Sequence, residues 1–323
     1  MKEFIINQND AGQRLDRFVG KAAPLLPSSL MQKYIRIKRI KINNKSAARD
    51  TKLVYGDTIQ MYVNDEFFEA PTEKNSYLKI TSPDLNILFE DENILLVDKK
   101  PGVLCHDADG ASAFTLIAHI KAYLYQKKEW RPFEENTFTP ALCNRIDRNT
   151  GGIVIAAKNA ETLRIINEKI KNQEIDKHYL AIVHGTPSPP DGTLRSFLFK
   201  DAAKNQVIVK KTSEKGTKTA ITEYRTLMSF GNLSLVECRL LTGRTHQIRA
   251  QFADFGHPLL GDGKYGSERL NRPYSEHKQA LYSYRLMFSF TSDAGMLNYL
   301  KNREFIVFSV DFVGKYFSGY KIH

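Results

Sequence analysis

The chain has 323 residues, 42% of them hydrophobic, and carries 47 Lys+Arg against 36 Asp+Glu for a formal net charge of +11. That length predicts about two domains rather than one core, and the positive excess predicts a polyanionic partner, because lysine and arginine gain binding energy by releasing counterions from phosphates. No apolar run approaches a membrane span, the opening MKEFIINQNDAG lacks the basic-then-apolar pattern of a signal peptide, and three dispersed cysteines (Cys105, Cys143, Cys238) suit neither a disulfide framework nor a local zinc knuckle, so a reduced, cytoplasmic protein is expected.

RLDRFVGKAAPLL places Leu15, Phe18, Val19 and Ala22 at helical spacing up to Pro24. A second helix is predicted after Pro27-Ser28-Ser29, with a capping box between Ser29 and Gln32 and with Leu30, Tyr34 and Ile37 sharing a face. Its other face and the following strand carry Lys33, Arg36, Lys38, Arg39, Lys41 and Lys45 with no acid between them. Alternation at Ile40 and Ile42, and again in TIQMYV, predicts two short strands. Residues 1–64 hold 12 Lys+Arg and 5 Asp+Glu, so 7 of the 11 net charges lie there. A basic run is more often a solvated face than a binding site. However, residues 14–63 resemble the small alpha-L RNA-binding module, and the resemblance implies that Lys33, Arg36, Lys38, Arg39 and Lys41 contact RNA.

Residues 65–85 mix charges, prolines and polar residues without a period and are expected to be a linker or loose connection. From residue 86 onward short apolar strands dominate: ILFE, ILLVD, GIVIAA, YLAIVH, QVIVK, AITEYRTL, LSLVECRL, ALYSYRLMFSF and EFIVFSV. Helices are predicted at ASAFTLIAHIKAYLYQ, AETLRIINEKIKN and THQIRAQFADFG, the last closed by Gly256. So many strands with so few crossover helices predict an α+β domain built on a mixed, largely antiparallel sheet.

NRIDRNTGG sets Asp147 between Arg145 and Arg148. Such an acid is either a salt-bridged turn or a carboxylate held ionised for chemistry. TGRTHQIRAQF gathers Arg244, His246, Gln247 and Arg249 at a helix start, which suits either an exposed terminus or an anion site. GDGKYG matches G-x-G-x-x-G literally, but HPLL precedes it and Pro273 follows closely, so a tight glycine turn is the better reading than a nucleotide loop. The eight histidines show no paired metal-ligand spacing, and no G-x-S-x-G or Walker loop occurs.

In order and spacing, NRIDRNTGG, KHYLAIVHG, LTGRTHQIR and GHPLLGDGKYG, with ILFEDENILLVDKKPGVLCH upstream, resemble the RluA-type pseudouridine synthases, whose signature has the form H-R-L-D-x-x-T-S-G. The resemblance covers nearly the whole chain. It implies an RNA uridine isomerase needing neither metal nor organic cofactor, with Asp147 as the catalytic aspartate, nucleophile or base, Tyr179 as the base-stacking tyrosine, Arg249 as the partner of the aspartate, and Arg145 on the RNA; Arg244, at its helix start, is expected to contact the RNA as well. It also implies three segments: an alpha-L module (1–64), a linker (65–85) and a catalytic domain (86–323). The expected partner of this monomeric, non-membrane protein is large-subunit rRNA, free or within ribosomal precursor particles. The alternatives are a transfer-RNA or dual-substrate synthase, or an inactive ribosome-assembly factor. The chain departs from the family pattern at Asn144 (for His), Ile146 (for Leu) and Gly151 (for Ser), and LYSYRL at 281–286 stands where the family has L-x-H-A-x-x-L.

Overall fold

A computed structural model describes residues 1–68, 72–106, 114–201 and 203–323, with the backbone alone at 72–75. The first segment folds on its own core. Strands β1 (Lys2–Ile5), β2 (Ile40–Ile42), β3 (Lys45–Ser46) and β4 (Thr58–Met61) form an antiparallel sheet in the order β1-β4-β2-β3. Helices α1 (Leu15–Ala22) and α2 (Ser28–Arg36) pack with it around Leu15, Phe18, Val19, Met31, Ile35, Ile40 and Ile59. Each such side chain taken out of water contributes about 1.5–3 kcal/mol.

Two details differ from expectation. Pro27, not Ser29, precedes the first turn of α2 and no side chain caps it, because Ser28 and Ser29 already lie inside the helix. The buried stripe of α2 runs through Met31 and Ile35, which leaves Ile37, just past its end, about half exposed.

The larger sheet holds eleven strands among the described residues: β5 (Ile87–Glu90), β6 (Ile94–Lys99), β7 (Ala141–Leu142), β8 (Gly151–Ala157), β9 (Ile175–His184), β10 (Asp191–Asp201), β11 (Gln206–Lys210), β12 (Thr217–Phe230), β13 (Leu233–Leu240), β14 (Leu281–Phe288) and β15 (Glu304–Ile306). Their order is β11-β10-β12-β13-β9-β14-β8-β6-β5, with β15 beside β14 and β7 beside β8. Every pairing is antiparallel except β14 with β8, so the expected mixed, largely antiparallel α+β architecture is what the chain adopts.

Strands β6 and β8 are buried along their whole length, because both faces of the sheet are covered. Strand parity then decides which helix each side chain meets. On β9, Tyr179, Ala181 and Val183 join one core with α3 (Leu116–Gln126) and α5 (Gln247–Asp254). Leu180 and Ile182 turn to the opposite face. Helix α4 (Ala160–Lys171), capped by the Asn159 side chain on the Thr162 N–H, covers β8 on that opposite side through Ile166. The predicted start of α3 at 111–113 lies outside the described residues.

The stretch 65–85 joins the two sheets, but its second half is packed rather than loose. Tyr77 lies edge-on to Trp130 and Tyr125, with ring centroids 5.1 and 5.5 Å away, and Ile80 is buried in the same core. Aromatic burial at one position thus overrides the polar composition around it; residues 69–71 lie outside the description. The first module also touches the larger domain directly through polar groups. Fully buried Asp10 accepts hydrogen bonds from Thr137 Oγ1 (2.5 Å) and Asn136 Nδ2 (2.7 Å), and Asn9 Nδ2 donates to Glu135 (2.6 Å). Arg164 on α4 adds a bond to the Ala11 carbonyl at 3.0 Å.

Candidate active site

Asp147 sits in the turn that leads into β8, immediately before the Thr150-Gly151-Gly152 entry. That turn is fixed from several sides. The Asn144 side chain accepts from Ile155 N (2.8 Å) and donates to the Ile153 carbonyl (3.3 Å), tying the turn back to the strand it feeds. Fully buried Lys99 donates to the carbonyls of Lys100, Val103 and Arg148 at 3.1, 2.8 and 3.0 Å, and burial pulls its amine down to about 8. Arg148 Nε closes the ring on the Gly102 carbonyl (3.1 Å).

The two arginines that flank Asp147 in sequence are both exposed, and neither pairs with it. The cation that does is Arg249, on α5, whose NH1 donates to Asp147 Oδ2 at 2.9 Å. Arg249 is itself held by a residue that the sequence motifs did not single out. Asp262 receives its Nε (2.7 Å) and NH2 (2.9 Å) in a two-pronged pair and also accepts the backbone N–H groups of Lys264 and Tyr265. The Asp262 side chain is fully buried and the Arg249 side chain nearly so, whereas Asp147 retains 24% exposure. Burial disfavours the charge on Asp262, but the hydrogen bonds and charge of Arg249 outweigh it and leave that carboxyl below its ordinary value.

The Arg249 guanidinium therefore has the Asp262 carboxylate on one side and directs its remaining prong to Asp147. Among the described residues, Asp147 Oδ1 has no hydrogen-bond partner. One carboxylate oxygen is anchored and the other is not. The GDGKYG segment is thus a turn, with Gly261 at φ +73°, and it also delivers the Asp262 carboxylate. The signal available in the sequence was an acid fixed between two glycines directly after a buried Leu-Leu.

Tyr179 is buried on β9, with its cross-strand neighbours Cys238 and Ser283 on either side. Burial pushes its phenol up to about 12, with the Asp147 charge adding to the effect. Tyr265 lies beneath the Arg249 guanidinium, 5.2 Å from it, and its hydroxyl meets His246 Nδ1 at 2.8 Å. His246 precedes α5 in a left-handed conformation (φ 52°, ψ 22°), a cost of about 1–3 kcal/mol for a residue with a β-carbon. Its Nε2 stands 3.8 Å from Asp147 Oδ2.

The other expected RNA contacts lie apart from this cluster. Arg244 is exposed, with Nε on the Thr219 carbonyl (3.0 Å). Lys33, Arg36, Lys38 and Arg39 are exposed and Lys41 is half-buried against Tyr62, all on the first module. A groove of about 450 Å³ there is lined by Lys33, Arg36 and Arg49.

Two departures from the family pattern turn out to be neighbours. Gly151 and Tyr282 are register partners in the parallel β8–β14 pair, and a β-carbon on Gly151 would come within 2.4 Å of the Tyr282 ring. That ring is anchored by its hydroxyl on Asp98 Oδ1 (2.6 Å).

The fold built from these elements is that of pseudouridylate synthases. It superposes on the solved human RNA Pseudouridylate Synthase Domain Containing 4 with a TM-score of 0.54, at 20% identity, over 70% of this chain and 89% of that one. It matches Human RNA Pseudouridylate Synthase Domain Containing 1 at a TM-score of 0.51 and 18% identity, over 79% and 99% of the two chains. Sequence carries the relation further, and the chain belongs to the RNA pseudouridylate synthase family, whose model matches residues 93–254. An uncharacterized RNA pseudouridine synthase of Mycoplasma genitalium is 32% identical over 88% of each chain. The ribosomal large subunit pseudouridine synthase C of Haemophilus ducreyi is 31% identical over 82% of this chain and 79% of its own. Synthase D of Borreliella burgdorferi is 29% identical over 88% and 84%. The protein is accordingly an isomerase acting on RNA, and the resemblance to RluA-type synthases holds.

Proposed function

We propose that the chain isomerises one or more uridines of large-subunit rRNA in the cytoplasm, with Asp147 as the reacting carboxylate. The observation that carries the chemical part is the asymmetry of that carboxylate: Oδ2 is bonded to Arg249, which Asp262 holds from behind, and Oδ1 has no partner among the described residues. Pseudouridine formation breaks the bond from N1 to C1′, turns the uracil and rejoins it through C5, with the C5 proton lost and a proton gained at N1. One ionised carboxylate near C1′ serves the first step, whether it adds to the sugar or removes a sugar proton, and a desolvated carboxylate keeps its charge only beside a cation. Asp147 and Arg249 fit that requirement.

Tyr179 offers the uracil a flat face. With its phenol held well above neutral it stays protonated, so it acts as a stacking floor and O–H donor rather than as a phenolate base. Arg145, exposed two residues before Asp147, follows the RNA as the base leaves its stack, a step that costs a few kcal/mol and least at unpaired positions. Arg244 and the basic face of the first module, Lys33, Arg36, Lys38, Arg39 and Lys41, extend the phosphate contacts, on a monomer. Supporting the rRNA reading over transfer RNA are the synthases C and D among the relatives, together with the charge concentrated on residues 1–64.

Mapping pseudouridine across total RNA with and without the gene tests both parts. Loss at large-subunit rRNA positions is expected. Loss confined to transfer RNA would overturn the substrate, and no loss anywhere would favour an assembly factor.

A further inference from the structure

We infer that His246 is a further active-site residue, a neutral imidazole whose Nε2–H is the second donor to Asp147 Oδ2 once substrate closes the pocket. The inference rests on Asp147 being the reacting carboxylate and adds what keeps its two oxygens distinct.

The geometry points to one tautomer. Tyr265 Oη lies 2.8 Å from Val207 N and 2.8 Å from His246 Nδ1. The Val207 N–H is a donor only, so it occupies a lone pair of the phenol. The phenol's own proton has no other acceptor among the described residues, and we assign it to Nδ1. Nδ1 is then the acceptor of the ring, and the proton of a neutral imidazole must sit on Nε2, the atom that stands 3.8 Å from Asp147 Oδ2. That gap is too long for a hydrogen bond and too short for a water between the two atoms. Catalytic contacts of this kind commonly tighten only when substrate is bound.

The surroundings favour the uncharged ring. Burial lowers its pKa, and the charges of Arg249 and Lys264 add to this against the opposite pull of Asp147 and Asp262. His246 holds this ring from a left-handed backbone position directly before α5. With Arg249 and His246 both on Oδ2, Oδ1 is left as the reacting oxygen, and the carboxylate is held against rotation about its Cβ–Cγ bond.

The test has two independent arms. In wild-type protein labelled with nitrogen-15 in histidine, the ring resonances that vanish in His246→Gln identify His246. They should report a neutral ring protonated on Nε2 at neutral pH. A ring protonated on Nδ1, or an imidazolium, would overturn the inference whatever the activity of the variants. The second arm follows tritium release from RNA labelled at uracil C5, prepared from cells lacking the gene. His246→Ala should lower kcat on the order of 10²-fold with KM little changed, the loss expected when a reacting group is misplaced by about 1 Å. His246→Gln, whose amide N–H reaches the Nε2 position, should recover most of that rate, whereas His246→Asn should not. Wild-type kcat in folded His246→Ala, or equal losses in the Gln and Ala variants, would reject it. Asp147→Asn run in parallel separates the two proposals: if that variant is active, the role of Asp147 itself has failed.

Discussion

Asp147→Asn preserves the shape of the side chain and removes its capacity to act as nucleophile or base. Isomerisation should disappear while RNA affinity stays close to wild type, as measured by tritium release and by filter binding. Activity near wild type would remove Asp147 from the mechanism. Arg249→Met is a different kind of change, because it strips the counter-charge from two carboxylates at once, one of them the fully buried Asp262. Breaking a buried pair by deleting one partner costs about 3–5 kcal/mol. The variant should therefore unfold at lower urea concentration as well as lose activity. A double-mutant cycle between Arg249 and Asp262, read by unfolding, should show clear coupling, and its absence would mean that the two side chains do not pair in solution.

At the junction of β8 with β14 the strands leave no room for side chains at two positions. At Gly152, φ is +113° and a β-carbon would lie 2.1 Å from the Ser283 carbonyl oxygen, so only glycine is accommodated. At Gly151 the obstacle is the Tyr282 ring instead, together with Pro101 at 3.1 Å. The distinction predicts different rescue behaviour. Gly151→Ala should destabilise the fold by about 1–3 kcal/mol, the range for overpacking. Adding Tyr282→Ala should remove part of that penalty, so that the two changes together cost less than their sum. Gly152→Ala should show no such relief from Tyr282→Ala, because its obstacle is backbone. Urea unfolding of these single and double variants decides it, and strict additivity at 151 and 282 would show that the two departures from the family pattern are unrelated. Asn144 belongs to the same scale: a side-chain amide bonded to both Ile153 and Ile155 ties the Asp147 turn to β8.

For the whole molecule, the question is what the first module does. It has its own core and meets the larger domain mainly through polar groups, of which Asp10 with Asn136 and Thr137 is the most buried. Deleting residues 1–64 should leave a folded domain that isomerises a short RNA at high concentration but binds full-length rRNA more weakly. Every phosphate that the truncated protein no longer neutralises should flatten the dependence of log affinity on log salt by roughly 0.7–0.9. A module that carries 7 of the 11 net charges should engage several such phosphates. Affinity for an rRNA fragment at a series of salt concentrations, with intact and truncated protein, reads this directly. Equal slopes and equal affinities would mean that the module serves something other than RNA.

By itself the sequence determined what depends on local order. The periodicity of Leu15, Phe18 and Val19, the apolar runs of β6, β8 and β9, the turn glycines and the ordered motifs around Asp147, Tyr179 and Arg249 placed the elements and the family and named three candidate site residues, because each is written in neighbouring residues. Tertiary structure decided what depends on residues far apart in the chain. It brought Arg249, the partner that the family resemblance implied, within 2.9 Å of Asp147 and left Arg145 and Arg148 exposed, since a turn projects adjacent side chains in different directions while α5 brings one cation back across 102 positions. It converted GDGKYG from a bare turn into the source of Asp262, and it buried Tyr77 within a stretch whose composition reads as solvent-exposed. It also set His246 beside Asp147, far earlier in the chain, through a backbone conformation that no local pattern announces. Ion pairing and close packing act through distances of a few ångströms in space, and only the folded sheet brings these positions that near.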